Sequence, residues 1–228
     1  MRRPRILIVD DDPSIVKFVC DNLKAEKYDT LTSMNGAKAL QVIERELLDL
    51  VILDIMLPGT DGFEVCRKIR EWSQIPIIML SALGNEEDKI KCLDVGADDY
   101  ITKPFGIHEL MARVRAVLRR AQKITPPTQP PFICGDLEVD FVNRRVTIVG
   151  NEVKLTPTEF SLLRELVLNA GKVLTHAYLL NKVWGPEYRS EREYLHVFIR
   201  RLRKELEQNP DNPKHILTIP KVGYQFKL

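Results

Sequence analysis

The stretch Arg5-Ile6-Leu7-Ile8-Val9-Asp10-Asp11-Asp12 is an apolar run that breaks off at three carboxylates, and its reading decides the fold. Three later runs end in the same manner. Leu50-Val51-Ile52-Leu53 stops at Asp54, Ile77-Ile78-Met79-Leu80 at Ser81, and Tyr100-Ile101-Thr102 at Lys103-Pro104. Short apolar runs that end in turn signals and alternate with helical patterns read as buried parallel strands. In an open parallel sheet the functional crevice lies beyond the carboxyl ends of the strands. The first half is therefore expected to be an α/β doubly wound parallel sheet, with all four polar endings on one edge.

An Asp after a strand is by itself usually a turn or a helix cap. Four endings in strand order, each with a residue type that phosphoryl chemistry needs, leave that bland reading little room. Asp10, Asp11 and Asp54 crowd three like charges together, which is unfavourable unless a cation sits among them. Oxygen-only ligands without His or Cys suit Mg²⁺ or Mn²⁺. Asp54 is the candidate nucleophile, since a carboxylate can form an acyl phosphate when a metal screens the incoming anion. Lys103 supplies positive charge for the phosphoryl oxygens and Ser81 a hydroxyl donor.

These residues carry a family resemblance. The signatures Ile-Val-Asp10-Asp11-Asp12, Leu-Asp54-Ile-Met56-Leu-Pro58-Gly-Thr-Asp61-Gly62, Leu-Ser81-Ala82 and Gly96-Ala97-Asp98-Asp99-Tyr100-Ile-Thr-Lys103-Pro104-Phe105 stand in order. Residues Ile6 to Arg120 thus resemble the receiver domain of a two-component response regulator. The resemblance implies that Asp10 and Asp11 form the acidic metal pocket and that Asp54 accepts the phosphoryl group from a sensor histidine kinase. It further implies that the Met56 backbone carbonyl reaches the metal, that Lys103 and Ser81 contact the phosphoryl group, and that Tyr100 is an aromatic switch following Ser81 inward. Many members have Thr where Ser81 stands; both carry the hydroxyl.

The chain has 228 residues and a formal net charge of +2, and the charge is unevenly divided. Residues 1–121 hold 18 Lys and Arg against 20 Asp and Glu, net −2, and residues 122–228 hold 16 against 12, net +4. An acidic half followed by a basic half suits metal binding followed by nucleic-acid binding. Cys20, Cys66, Cys92 and Cys134 are far apart and form no CxxC pair, which indicates neither zinc site nor disulfide framework and suits a cytoplasmic protein. Met1-Arg2-Arg3-Pro4 is basic, but only four apolar residues separate Arg5 from the aspartates, too few for a signal peptide, and no run approaches membrane-spanning length. Thr125-Pro126-Pro127-Thr128-Gln129-Pro130-Pro131 favours an extended connector. The expected domains are 1–121, a linker over 122–131, and 132–228.

Before the linker, residues 107–121 read as an amphipathic helix with Leu110, Val114, Val117 and Leu118 on its apolar side. Glu109, Arg113 and Arg120 lie along one side of it, and Lys89, Asp98 and Asp99 lie on the preceding helix and strand. From the residues alone, a solvated charged face is the better explanation of such a pattern. The resemblance implies more: regulators whose output is a winged helix dimerise through this face. Across the two-fold axis, Lys89 would pair with Glu109, Asp98 with Arg120 and Asp99 with Arg113, around Leu93 and Ala112.

The second half opens with strand-like segments at 137–140, 145–148 and, after a Gly150-Asn151 turn, 152–155. Thr156-Pro157-Thr158-Glu159 starts a helix that ends at Asn169-Ala170-Gly171, and Thr175 caps a second that Gly185-Pro186 terminates. A third helix is expected over about 191–207, with Leu195, Phe198, Ile199, Leu202 and Leu206 inward. Glu193, His196, Val197, Arg200, Arg201 and Lys204 are placed outward, and Arg200, Arg201, Arg203 and Lys204 form a dense basic cluster. Such a helix suits the major groove and its flanking phosphates; alone, it could as easily be a solvated face or a membrane-type basic helix. Ile216-Leu217-Thr218-Ile219 and Tyr224-Gln225-Phe226 around Lys221-Val222-Gly223 then read as a terminal hairpin.

Residues 132–228 thus resemble the α+β winged helix-turn-helix effector of the OmpR/PhoB class. The matching motifs are Leu155-Thr156-Pro157-Thr158-Glu159-Phe160, Val183-Trp184-Gly185, Ile199-Arg200-Arg201-Leu202-Arg203-Lys204 and Gly223-Tyr224. Within the class, residues 169–208 look like regulators of high-affinity potassium-transport operons. The class implies a homodimer formed on phosphorylation, double-stranded DNA with direct-repeat or tandem half-sites as partner, and no membrane; the loop Pro186 to Ser190 is a candidate contact with RNA polymerase. Where members carry an Arg-Gly-x-Gly-Tyr wing, this chain has Pro220-Lys221-Val222-Gly223-Tyr224, so Lys221 is the wing's candidate cation. The competing reading is an enzyme, a Mg²⁺-dependent phosphatase working through an aspartyl-phosphate. Such phosphatases place a general acid two residues after the nucleophile, where this chain has Met56.

Overall fold

Five strands alternate with five helices through the first half of the computed structural model, which describes residues 2–82, 85–122 and 130–228. Strands β1 (Arg5–Val9), β2 (Asp29–Ser33), β3 (Leu50–Asp54), β4 (Ile77–Ser81) and β5 (Asp99–Thr102) form one parallel sheet in the order β2-β1-β3-β4-β5. Helices α1 (Pro13–Ala25), α2 (Gly36–Arg45), α3 (Gly62–Trp72), α4 (Glu86–Asp94) and α5 (Ile107–Ala121) connect and follow the strands. Because side chains alternate along a strand, the central strands feed two apolar layers. Leu7, Val9, Val51, Leu53, Ile77 and Met79 pack with residues of α2 and α3, and Ile6, Ile8, Leu50, Ile52, Ile78 and Leu80 with α1 and α5. That two-sided burial is why these strands read as unbroken apolar runs.

The helix starts obey local chemistry. Asp12, Asn35, Asp61 and Asn85 each accept a backbone N–H of the first turn of the helix they precede, satisfying a donor that lacks an intrahelical partner. Gly62 has a different task. A Cβ there would collide with the Asp54 carbonyl oxygen and lie 2.7 Å from the Ile55 Cα, so only glycine lets α3 come this close to the end of β3.

The chain divides into two compact units, 1–119 and 120–228. Residues 123–129, most of the proline-rich connector expected over 122–131, lie outside the described residues. The second unit begins with an antiparallel sheet in which β6 (Phe132–Cys134), β7 (Leu137–Asp140), β8 (Arg145–Ile148) and β9 (Asn151–Val153) stand in order. Three helices follow, α6 (Pro157–Leu168), α7 (His176–Val183) and α8 (Arg192–Leu206), with a short 3-10 turn at Pro186–Tyr188. Strands β10 (Val173–Thr175), β11 (Ile216–Ile219) and β12 (Gly223–Phe226) make a second antiparallel sheet in the order β10-β12-β11. The β11–β12 hairpin is the wing, and α7 with α8 is the helix-turn-helix. The fold class expected from the sequence is the one observed.

Thr156 and Glu159 close a reciprocal capping box at the start of α6, with Thr156 N–H donating to Glu159 Oε2 at 2.7 Å and Glu159 N–H to Thr156 Oγ1 at 3.3 Å. Trp184, Tyr188, Tyr194 and Phe198 fill the core around α8, with the Trp184 and Phe198 rings 5.2 Å apart. Gly223 admits β12 to β10: a Cβ there would collide with the Leu174 carbonyl oxygen. The expected strand over 152–155 is shorter and earlier, Asn151–Val153, because Val149 and Gly150 both take positive φ (51° and 78°) to make the turn.

Candidate functional site

The carboxyl ends of β1, β3, β4 and β5 meet at one edge of the parallel sheet, and the residues there touch. Lys103 Nζ stands 2.7 Å from Asp10 Oδ2 and 3.1 Å from Asp54 Oδ1. Asp10 is fully buried and Asp54 nearly so, while Asp11 is exposed. Each of the three carboxylates offers an oxygen within 4.8 Å of the others. Burial pushes the Asp54 carboxyl above its ordinary pKa and the Asp10 charge adds to that, with Lys103 opposing. Burial disfavours the Lys103 ammonium too, yet its hydrogen bond to Asp10 and the charge of Asp54 prevail and raise it. An oxygen-only donor set of this size with crowded negative charge fits a hard divalent cation. The ion would contribute charge neutralisation to the cluster, and its incoming positive charge would compete with the Lys103 ammonium for Asp10 and Asp54.

Met56 meets the site through its main chain. Its side chain is 64% exposed and its backbone N–H donates to the Asp54 carboxylate. Ser81 is fully buried at the end of β4, and the buried Tyr100 side chain hydrogen-bonds with it. Asp10, Asp11, Asp54, Lys103 and Ser81, foreseen from strand endings, thus share one edge.

The charged face of α4, β5 and α5 departs from expectation at four positions, Asp98, Asp99, Leu93 and Arg120, and Asp99 is fully buried. Asp98 is fully buried, with Oδ2 accepting from Arg70 at 3.0 Å and from the Ile77 N–H at 3.1 Å, so in a single chain it does not lie on the exposed face. Leu93 is also fully buried, within its own chain. Arg120 belongs to the second unit, where its Nε donates to Thr158 Oγ1 at 3.0 Å. Arg113 sits 3.0 Å from both Asp99 Oδ1 and Glu109 Oε1 of its own chain. Ala112 and Lys89 are half-buried and Glu109 is exposed.

The basic helix is also rearranged. Arg192, His196, Arg200 and Lys204 are its exposed basic residues, spaced four apart and so on one side. Val197, placed outward from the sequence, is 3% exposed and belongs to the core. Arg201 is committed to structure: its Nε lies 2.6 Å from Glu159 Oε1 and its guanidinium over the Phe198 ring. Arg203 donates twice to the Ile216 carbonyl, at 3.0 and 2.7 Å, and once to Thr218 Oγ1 at 2.8 Å, which fastens α8 to the wing. Arg192 was missed in the sequence, although its place four residues before His196 could have found it. Lys221 is exposed at the tip of the wing with a left-handed backbone, φ 65°.

A parallel five-stranded domain with a carboxylate cluster, followed by a winged helix with a basic outer stripe, defines a class of signalling protein with a DNA-binding output. The response regulator receiver domain family matches residues 6–115, and the C-terminal domain of transcriptional regulatory proteins matches residues 150–226. The transcriptional regulatory protein KdpE of Mycobacterium tuberculosis is 41% identical over 222 residues, covering 97% of this chain and 98% of that one. The KDP operon transcriptional regulatory protein KdpE of Escherichia coli K12 is 44% identical over 223 residues, covering 98% and 99%. Among solved structures, the Thermotoga maritima OmpR/PhoB homologue DrrB aligns over 99% of this chain and 100% of that one, with 35% identity and a TM-score of 0.54. A RitR mutant aligns over 98% of each chain, with 28% identity and a TM-score of 0.80.

The chain belongs to the OmpR/PhoB class of two-component response regulators and is KdpE-like. It is a transcription regulator with a receiver and a DNA-binding domain. Among the described residues, no helix is long and apolar enough to cross a membrane.

Proposed function

We propose that this chain switches a potassium-transport operon in the cytoplasm in response to phosphorylation of Asp54 by a sensor histidine kinase. The observation that carries the site is Lys103 Nζ, held 2.7 Å from Asp10 and 3.1 Å from Asp54 beside a third carboxylate. Asp54 Oδ attacks the phosphorus of a phosphohistidine, a P–O bond forms as the P–N bond breaks, and the imidazole leaves with the electron pair. Asp10, Asp11, Asp54 and the main chain of Met56 would hold Mg²⁺ or Mn²⁺, which supplies charge neutralisation for the incoming phosphoryl group. Lys103 and the Ser81 hydroxyl then hold phosphoryl oxygens, and Tyr100 follows Ser81.

The phosphoryl group adds charge of about −1.5 to −2 and biases the face of α4, β5 and α5 toward a homodimer. In that dimer Lys89, Asp99, Glu109 and Arg113 exchange partners within the chain for partners across the axis, Asp98 and Arg120 once released from Arg70 and Thr158, with Ala112 at the centre. Double-stranded DNA with tandem half-sites is gripped by Arg192, His196, Arg200 and Lys204, with Lys221 on the backbone. The loop Pro186 to Ser190 would face RNA polymerase. Phosphatase turnover is not proposed: Met56 offers nothing to protonate a leaving group. The potassium assignment rests on the KdpE relatives. Its test is retention of genomic fragments by the chain with and without acetyl phosphate. Enrichment of the region upstream of potassium-transport genes is expected, and enrichment only elsewhere rules out that regulon.

A further inference from the structure

Three rings meet where α7, α8 and β12 come together in the second unit. His176, the first residue of α7, lies 5.8 Å from His196 on α8 and 5.7 Å from Tyr224 on β12, centroid to centroid, and His196 lies 6.5 Å from Tyr224. His196 is exposed and belongs to the stripe of Arg192, Arg200 and Lys204, while His176 is half-buried beside it. The His176 N–H is bonded to the Val222 carbonyl at 3.1 Å, which ties the start of α7 to the wing turn that carries Lys221.

We propose that His176 is a further DNA-contact residue, and that it grips a backbone phosphate as an imidazolium, taking a proton from solvent as the duplex docks. The inference rests on the stripe of α8 being the DNA face. The two imidazoles are 5.8 Å apart, centroid to centroid, so a phosphate placed between them would meet both histidines. In the free protein the surroundings oppose a charge there. Burial lowers the His176 pKa first, the positive charges of His196 and Arg192 lower it further, and the Val222 carbonyl alone works the other way. The groups that act on His176 are thus cationic or neutral: Arg192 and His196 from α8, Tyr224 from β12 and the Val222 carbonyl from the turn. A polyanion reverses that balance, because its charge offsets the cations that hold the proton off. By linkage, a group that gains a proton on binding makes affinity rise as pH falls through the histidine range. Tyr224 meets the His176 ring edge-on, with centroids 5.7 Å apart, which distinguishes a pre-set contact from a loose surface histidine.

Phosphate contacts carry no sequence information, so a random-sequence duplex and the full chain are sufficient. Anisotropy titrations at fixed salt should give a Kd roughly tenfold lower at about pH 6 than at about pH 8. His176→Gln should cut that ratio to about threefold or less, and His196→Gln should lower it too. In the wild type, the His176 ring proton should titrate at higher pH with the duplex than without it; this readout decides the matter alone if the variant does not fold. An unchanged ratio in His176→Gln, or a ring that titrates alike with and without DNA, overturns the inference while leaving the α8 reading intact. If Arg200→Ala leaves binding untouched at both pH values, the α8 reading falls and this inference with it.

Discussion

Asp54 is an anion placed where an anion is disfavoured, which suits the acceptor role proposed for it. It is 3% exposed, it faces buried Asp10, and one lysine serves both. Replacing it by Asn keeps the shape and removes the repulsion, so Asp54→Asn should stabilise the metal-free protein. The gain is of the order of 1 kcal/mol, a shift of a few degrees in Tm. The sign with pH follows from the raised pKa. Ionised Asp54 costs stability above its folded pKa, and that cost disappears as pH falls through that value toward the unfolded one near about 3.9. The advantage of Asn should therefore be largest at neutral pH and vanish on acidification. Thermal melts of both proteins over that range check it, and an Asn variant less stable than wild type at neutral pH would contradict the electrostatics. Lys103 matters equally from the other side, since among the described residues it is the cation shared by the two buried carboxylates in the site.

Helix α8 shows how one element divides a run of like residues between two tasks. Arg200 is exposed on the outer stripe, whereas Arg201 is bonded to Glu159 of α6 and Arg203 to the wing strand β11. Arg200→Ala should cost about 1–3 kcal/mol in operator affinity if its contact is a base edge. Arg201→Ala should instead lower thermal stability, because it leaves buried Glu159 without its ion pair. Melting curves and titrations on both variants separate the tasks, and equal effects on affinity with no loss of stability in Arg201→Ala would undo the division. Lys221 allows a cleaner test. Its left-handed backbone suits glycine better, by about 1–2 kcal/mol, so Lys221→Gly should preserve or stiffen the turn. If the side chain meets a phosphate, the same change should weaken all duplexes alike and reduce the salt slope by about one unit. A salt slope equal to wild type would place Lys221 off the DNA.

At the scale of the whole molecule, the proposed function has phosphorylation change how two copies meet. Arg113 is now satisfied by Asp99 and Glu109 of its own chain, so dimerisation requires an exchange of partners rather than the pairing of free charges. Beryllofluoride should shift the wild type toward dimer in sedimentation, and Arg113→Ala should reduce that gain. The same shift in both would leave the face as solvated surface. What could be foreseen follows the physics of burial. Strands β1, β3 and β4 are apolar on both sides and end in site residues, so the sheet edge was legible down to Asp10, Asp54, Ser81 and Lys103. Strand β2, Asp29-Thr-Leu-Thr-Ser, was not, because it lies at the sheet edge and four of its five residues are polar. Three-residue strands such as β6 and β10 are too short for a period to show. Asp98, Val197 and Arg201 were misplaced because their settings depend on Arg70, the helical core and Glu159, contacts that no local pattern records.

In the proposed function one aspartate takes the phosphoryl group, and the carboxylate cluster needs a cation to let it. Intact-mass measurement after incubation with acetyl phosphate and Mg²⁺ tests this directly, on wild type, on Asp54→Asn, and on wild type with the metal chelated. A single phosphoryl adduct on wild type is predicted, with none on Asp54→Asn and none after chelation. An adduct that persists in Asp54→Asn, or that maps to Asp10 or Asp11, would contradict the assignment of the site.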